Sequence, residues 1–200
     1  MTEFFQALQQ RHLAHLTRQE FTRAVRALSA RYVEQRGQLP DRSPLDSAGK
    51  RAAFGLFYAA QHFLAVSAAV AHADLGRRPL TRLVDLGCGT GVCSGAWALA
   101  CPPPPPEITG IDLNAWALDE ARWNWRTLGL HGRSTKGDAA EALARLVARP
   151  QSFAGTGIVA GWAINEMPAA TQARLLEALA TSAERGASVL ILEPLARRVS

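Results

Sequence analysis

A doubly wound α/β sheet is the fold class this sequence predicts, and three observations predict it. From residue 82 to residue 193, short apolar runs alternate with longer helical stretches, the pattern of parallel strands joined by crossover helices. One run, Leu83-Val84-Asp85-Leu86, leads into Gly87-Cys88-Gly89-Thr90-Gly91, a strand entering a glycine-rich turn and then a helix. A second run, Ile108-Thr109-Gly110-Ile111, closes in Asp112. It lies about twenty residues on, where such a sheet places the group that grips a ribose hydroxyl.

Taken in order, Thr2 to about Arg36 reads as helix. Phe21, Val25, Leu28 and Tyr32 recur at helical spacing, with Arg18, Arg23, Arg26 and Arg31 between them. Gly37–Asp46, punctuated by Pro40 and Pro44, reads as a loop. Asp46 or Ser47 caps a long helix to about Asp74, which Gly76 stops. Strand one spans Arg82–Leu86 and its helix runs to about Cys101. Pro102–Pro106 reads as a polyproline spacer on the surface. Strand two is Ile108–Ile111, and Asn114 caps the helix carrying Trp116, Trp123 and Trp125, which read as core rather than as a base-stacking platform. A weak strand at Arg133–Lys136, a helix to Arg149, strand four at Gly157–Trp162, a helix from Pro168 to Arg185 and strand five at Val189–Leu192 complete the pattern. Right-handed crossovers then bring every motif to one carboxyl edge.

Composition is that of an ordinary globular chain, with 200 residues, 48% apolar and 20% charged. The net charge is +5, and Lys50 and Lys136 are the only lysines. Up to Arg51 there are nine basic and five acidic residues, so most of the positive excess precedes the first strand. Arginine forks suit phosphate, whereas a solvated helix face is the plainer reading. Cys88, Cys93 and Cys101 form no C-x-x-C pair, which indicates neither a disulfide framework nor a zinc site and makes a reducing cytoplasm the simplest setting. The histidines His12, His15, His62, His72 and His131 show no metal spacing, and His12 and His15 read as a surface face. Charges scattered through the first thirty residues do not follow the plan of a signal peptide. Ala52–Ala73 carries no formal charge over a length that could span a bilayer, but its Gln61, His62, Ser67 and His72 favour a helix buried against the sheet.

The glycine turn separates two ligands. A dinucleotide site wants G-x-G-x-x-G, whereas here the sixth position is Val92 and the third glycine is Gly91. With Asp85 ahead of it, Asp-Leu-Gly-Cys-Gly-Thr-Gly resembles the first motif of class I S-adenosylmethionine-dependent methyltransferases. The alternative is a structural loop of another α/β protein. The resemblance covers about Arg82 to Pro194 and implies a Rossmann-like domain over residues 49–200, preceded by a helical extension and lid loop over residues 1–48.

It also implies S-adenosylmethionine as cofactor. Asp85 and the backbone of Gly87, Cys88, Gly89 and Gly91 would hold the methionine moiety. Asp112 would take the ribose hydroxyls and Leu113 would flank the adenine. Asp138 would bond the adenine amine with Ala139 beside the ring, and Ala160–Trp162 would pass under the sulfonium. Sheets of this class normally end in two further strands, the last antiparallel. This sequence stops seven residues after Glu193, so a truncated, incomplete C-terminal edge is expected.

The acceptor is open. Enzymes methylating nucleobase or glutamine amines carry Asn-Pro-Pro-Tyr after strand four, where this chain has Asn165-Glu166-Met167-Pro168. Carbon-methylating RNA enzymes need a cysteine near strand four or five, and none is there. Asn165 and Glu166 could contact acceptor, or Glu166 could act as base or cap the next helix; no catalytic residue is assigned. The Ala24–Tyr32 helix, the long helix before the turn and Glu193-Pro194 are similar to the mitochondrial small-ribosomal-subunit methyltransferase-like family and its bacterial relatives, without that family's distal cysteine cluster. The readings are therefore a methyltransferase acting on ribosomal RNA or the small subunit, a small-molecule methyltransferase with Gln38–Asp46 and the N-terminal helices as lid, or a non-catalytic assembly factor.

Overall fold

The computed structural model describes residues 1–34 and 45–194. The loop expected at 37–46 and the side chains of Arg31 and Tyr32 lie wholly or mostly outside the described residues.

The N-terminal stretch is helical as expected, in two helices, α1 (Thr2–Leu13) and α2 (Arg18–Glu34). The break is a capping box. Thr17 Oγ1 accepts the Glu20 N–H at 3.3 Å, and Glu20 Oε2 accepts the Thr17 N–H at 2.8 Å. The long helix begins as expected at Ser47, whose hydroxyl accepts the Lys50 N–H. It comprises α3 (Ala48–Ala52), a π-helical segment (Ala53–Tyr58) and α4 (Ala59–His72). Its end is set by Asp74 at φ 51°, with Gly76 inside the following 3₁₀ turn Leu75–Arg77. By length and composition Ala48–His72 could cross a membrane, at a mean hydropathy of 1.4. In this fold its Ala53, Leu56, Ala59, Phe63, Val66 and Val70 are buried.

Strands and helices then alternate: β1 (Arg82–Leu86), α5 (Val92–Ala100), β2 (Glu107–Asp112), α6 (Ala115–Thr127), β3 (Gly132–Lys136), α7 (Ala139–Val147), β4 (Thr156–Gly161), α8 (Ala169–Glu184) and β5 (Ser188–Leu192). All neighbouring strands are parallel, in the order β3-β2-β1-β4-β5. The proline run is bent at residues 103 and 104, not an even polyproline spacer. One apolar layer, including α4, α5, Trp97 and Trp125, covers one face, and another with Leu143, Phe153 and Leu175 covers the other. Trp125 is fully buried and Trp116 and Trp123 are partly buried, as core packing requires. The order reverses between β1 and β4, the switch point at whose carboxyl ends open α/β sheets hold their ligands.

Candidate functional site

The glycine turn joins β1 to α5 and is held from several sides. Gly87 and Cys88 donate their N–H groups to Ile111 O at 2.9 and 3.0 Å. Gly89 donates to Asp112 Oδ2 at 2.8 Å, and Asp112 Oδ1 accepts the Asn114 N–H at 2.8 Å. One carboxylate thus ties the turn to the end of β2 and the start of α6. Gly87, Gly89 and Gly91 all have positive φ, at 68°, 50° and 72°, a region that side chains disfavour.

At two of these positions the space a Cβ would take is filled by protein. A Cβ on Gly87 would lie 2.6 Å from Ala163 Cβ, and one on Gly91 would lie 2.7 Å from Trp125 Nε1. The Trp125 indole donates to Gly91 O at 2.8 Å, and Asn124 Nδ2 donates to Thr90 O at 2.8 Å.

Asp85 ends at the floor of this turn with 1% of its surface exposed. Its Oδ2 accepts the Ser94 hydroxyl at 2.6 Å and the Ser94 N–H at 3.2 Å, whereas its Oδ1 is buried without a hydrogen-bond partner. Burial outweighs the Ser94 bonds and, with the charge of Asp112 nearby, lifts the carboxyl to about 6. An unpaired buried oxygen is costly, which fits a ligand donor at this point. The first turn of α5 also leaves N–H groups without intrahelical partners, suited to a carboxylate.

The other expected contacts lie along the same edge. Leu113, just past β2, is 65% exposed, as a side chain flanking a bound ring would be. Asp138 caps α7 by accepting the Glu141 N–H at 2.8 Å, a duty the sequence did not assign, and Ala139 is buried beside it. Cys88 turns its thiol into the sheet, with Sγ 2.8 Å from where a Gly110 Cβ would sit, so it presents backbone to that edge. Burial pushes the Cys88 and Cys93 thiols well up, reinforced by the charge of Asp85, which leaves neither a nucleophile. No group able to hold a metal ion occurs among the described residues.

After β4 the chain turns through Trp162 at φ 54°, its N–H bonded to Leu192 O at 2.8 Å. The His62 ring stacks on the Trp162 ring at 3.8 Å and 6°, and burial lowers the imidazole to about 4, leaving it neutral. Next comes a 3₁₀ turn, Ile164–Glu166. Glu193 Oε1 accepts the N–H groups of Ile164 at 2.7 Å and Asn165 at 3.4 Å, and its Oε2 is buried without a partner. Glu166 makes no cap on α8, whose N-cap is Pro168 without a side-chain bond. Withdrawal from water, then the charges of Glu193 and Asp112, lift the Glu166 carboxyl to about 7; its open face tempers the shift.

His12 is not on a surface face. It presses on Gly55, with Cε1 2.5 Å from where a Cβ would sit, and its Nε2 is 3.3 Å from Glu120 Oε2. These contacts, like those of His62 with Trp162 and Ala163 with Gly87, join residues too far apart in sequence for any local pattern to announce.

A glycine turn floored by one acid and tied to a second on the neighbouring parallel strand is an arrangement that suits a nucleoside ligand. Residues 64–147 match the family model of the methyltransferase small domain. The matched stretch carries the glycine turn, Asp85, Asp112, Asp138 and Ala139. The release factor glutamine methyltransferase of Bordetella pertussis is 42% identical over 66 residues, which is 33% of this chain and 24% of that protein. Its counterpart from Rhodopirellula baltica is 38% identical over 61 residues, 30% and 20% of the two chains. This chain thus spans about a quarter of those relatives' length. A putative O-methyltransferase from Nostoc punctiforme has a similar fold, with a TM-score of 0.53 at 19% identity, covering 90% of this chain and 52% of that one. The plantazolicin methyltransferase BpumL in complex with SAH has a TM-score of 0.50 at 17% identity, covering 86% and 60%.

Proposed function

We propose that this chain binds S-adenosylmethionine along the carboxyl edge and transfers its methyl group to an acceptor beside residues 162–166. The observation that carries the proposal is the unpartnered Oδ1 of Asp85 beneath the glycine turn, in the segment the family model matches. Asp85 and the Gly87–Gly91 backbone take the methionine moiety. Asp112 takes the ribose hydroxyls through the lone pairs its two amide bonds leave. Leu113, Asp138 and Ala139 surround the adenine, and Trp162 borders the reacting end.

The sulfonium supplies an activated methyl group, so the chain's own task is to align the acceptor and exclude water. Glu166, in the 3₁₀ turn after β4, is our candidate to take the proton an acceptor gives up.

The acceptor reading we favour is RNA or a ribosomal particle, supported by Arg18, Arg23 and Arg26, all exposed on α2. A small-molecule acceptor is the second reading, supported by the packing of the N-terminal helices on the edge through Phe54 and His62. Asn165-Glu166-Met167-Pro168 argues against the glutamine chemistry named for the curated relatives.

The test is transfer of label from methyl-tritiated S-adenosylmethionine in fractionated cell extract. Label in an RNase-sensitive fraction supports the RNA reading, and label in a low-mass fraction supports the second. No transfer, with cofactor binding intact, leaves the assembly-factor reading.

A further inference from the structure

The ring of Phe54 lies over the middle of the glycine turn. Its Cε1 and Cζ are 3.4 Å from the point where a Gly89 Cβ would sit, ordinary van der Waals contact. Phe54 belongs to the π-helical segment, ahead of residues 64–147. Inserting a π turn rotates the side chains of a helix relative to an α-helical register, and here it accompanies the approach of Phe54 to the turn. His12 presses on Gly55 from α1, and Phe54 itself packs against the Leu28, Leu45 and Ala53 cluster, so the ring is backed by protein. The segment is strapped to the sheet domain at two further points. Arg11 grips Glu120, and His62 stacks on Trp162.

The ring therefore covers the turn whose floor carries the unpartnered Asp85 Oδ1. We propose that Phe54 is a cofactor-contacting residue supplied by the N-terminal helical segment, shielding the aminoacyl arm of S-adenosylmethionine where it lies on Gly89. This rests on the cofactor reading above. The arm carries a charged amine and carboxylate on a short apolar chain. An apolar ring beside that chain excludes water from the Asp85 contact and strengthens it. The cofactor site is then completed by residues outside the matched family segment.

The experiment is calorimetric titration of the full chain with S-adenosylhomocysteine and with 5′-methylthioadenosine, which lacks the aminoacyl arm. Phe54→Ala should weaken S-adenosylhomocysteine about tenfold, as loss of a buried apolar contact does, and leave methylthioadenosine within about twofold. Phe54→Leu, which keeps an apolar side chain and guards against a folding defect, should recover most of the affinity. Equal loss for both ligands, or undiminished S-adenosylhomocysteine binding in Phe54→Ala, would overturn the assignment while leaving the cofactor reading standing. Failure of the unaltered chain to bind either ligand would overturn the cofactor reading and this assignment with it.

Discussion

Arg11 holds both oxygens of the Glu120 carboxylate, through Nε at 2.8 Å and Nη2 at 2.7 Å. This bidentate pair joins α1 to α6 across 109 positions of sequence, and the same guanidinium lies 4.5 Å over the Trp123 ring. Glu120 is 4% exposed, so it cannot turn to water when its partner is lost. Arg11→Leu is expected to cost about 1.5–3 kcal/mol, the range for hydrogen bonds to charged groups. Arg11→Leu with Glu120→Leu should recover part of it, because no buried charge is then stranded. Urea unfolding of the unaltered chain and the two variants checks this.

The same pair sets an acid limit. Burial alone would raise the Glu120 carboxyl, but the bonds and charges of His12 and Arg11 outweigh it and hold it at about 2, below its ordinary 4.5. The folded chain therefore binds a proton at Glu120 less tightly than the unfolded chain does, and the contribution is present above pH 4.5 and lost as pH falls through 2. Stability measured from pH 5 to pH 2 should drop, and Glu120→Gln should flatten that drop.

Asp85 works in the opposite sense. Its folded carboxyl is lifted from 3.8 to about 6, so its contribution to stability is fully present below 3.8 and lost as pH rises through 6. A cationic amine placed at Oδ1 favours the ionised form. S-adenosylhomocysteine should therefore bind more tightly as pH rises from 5 to 7, releasing a proton near pH 6. Asp85→Asn should remove both the proton release and the slope. Calorimetry in buffers of different ionisation heat reads this directly.

Much of the sheet was legible in the sequence because its signals are local. β1 occupies Arg82–Leu86 as expected, and Asn114 accepts the Ala117 N–H as the expected cap, since strand alternation and cap chemistry act within a few residues. The Thr17–Glu20 capping box is equally local, and it divides a stretch that reads as helical throughout. The parts that place the N-terminal helices were not legible. The π turn before α4 changes which residues share a face, so no 3.6-residue period brings Phe54 to Gly89. The stack of His62 on Trp162 depends on a left-handed Trp162 that no propensity favours. The assignments for Asp112 and Asp138 named a ligand role, and the structure adds a backbone role to each.

If the arginines of α2 neutralise phosphates, RNA affinity must fall with salt. Arg18, Arg23 and Arg26, with Arg31, would contribute about 0.7 in log–log slope per contact for single strands, near −3 for four. Replacing all four with Gln should flatten the slope and leave S-adenosylhomocysteine binding unchanged. A salt-insensitive interaction, identical in the Gln variant, would remove RNA as acceptor.

Asp112 offers its carboxylate to the Gly89 and Asn114 amides and, in the proposed complex, to the ribose. Asp112→Ala should weaken nucleoside binding by about 1–3 kcal/mol, the cost of polar groups left unpaired, and should also lower the melting temperature.

The central claim is that this glycine turn selects S-adenosylmethionine over a dinucleotide. The most direct measurement is calorimetric titration of the full chain with S-adenosylhomocysteine and NAD under identical conditions. The account predicts saturable one-to-one binding of S-adenosylhomocysteine and much weaker or no binding of NAD. Tighter binding of NAD would contradict it.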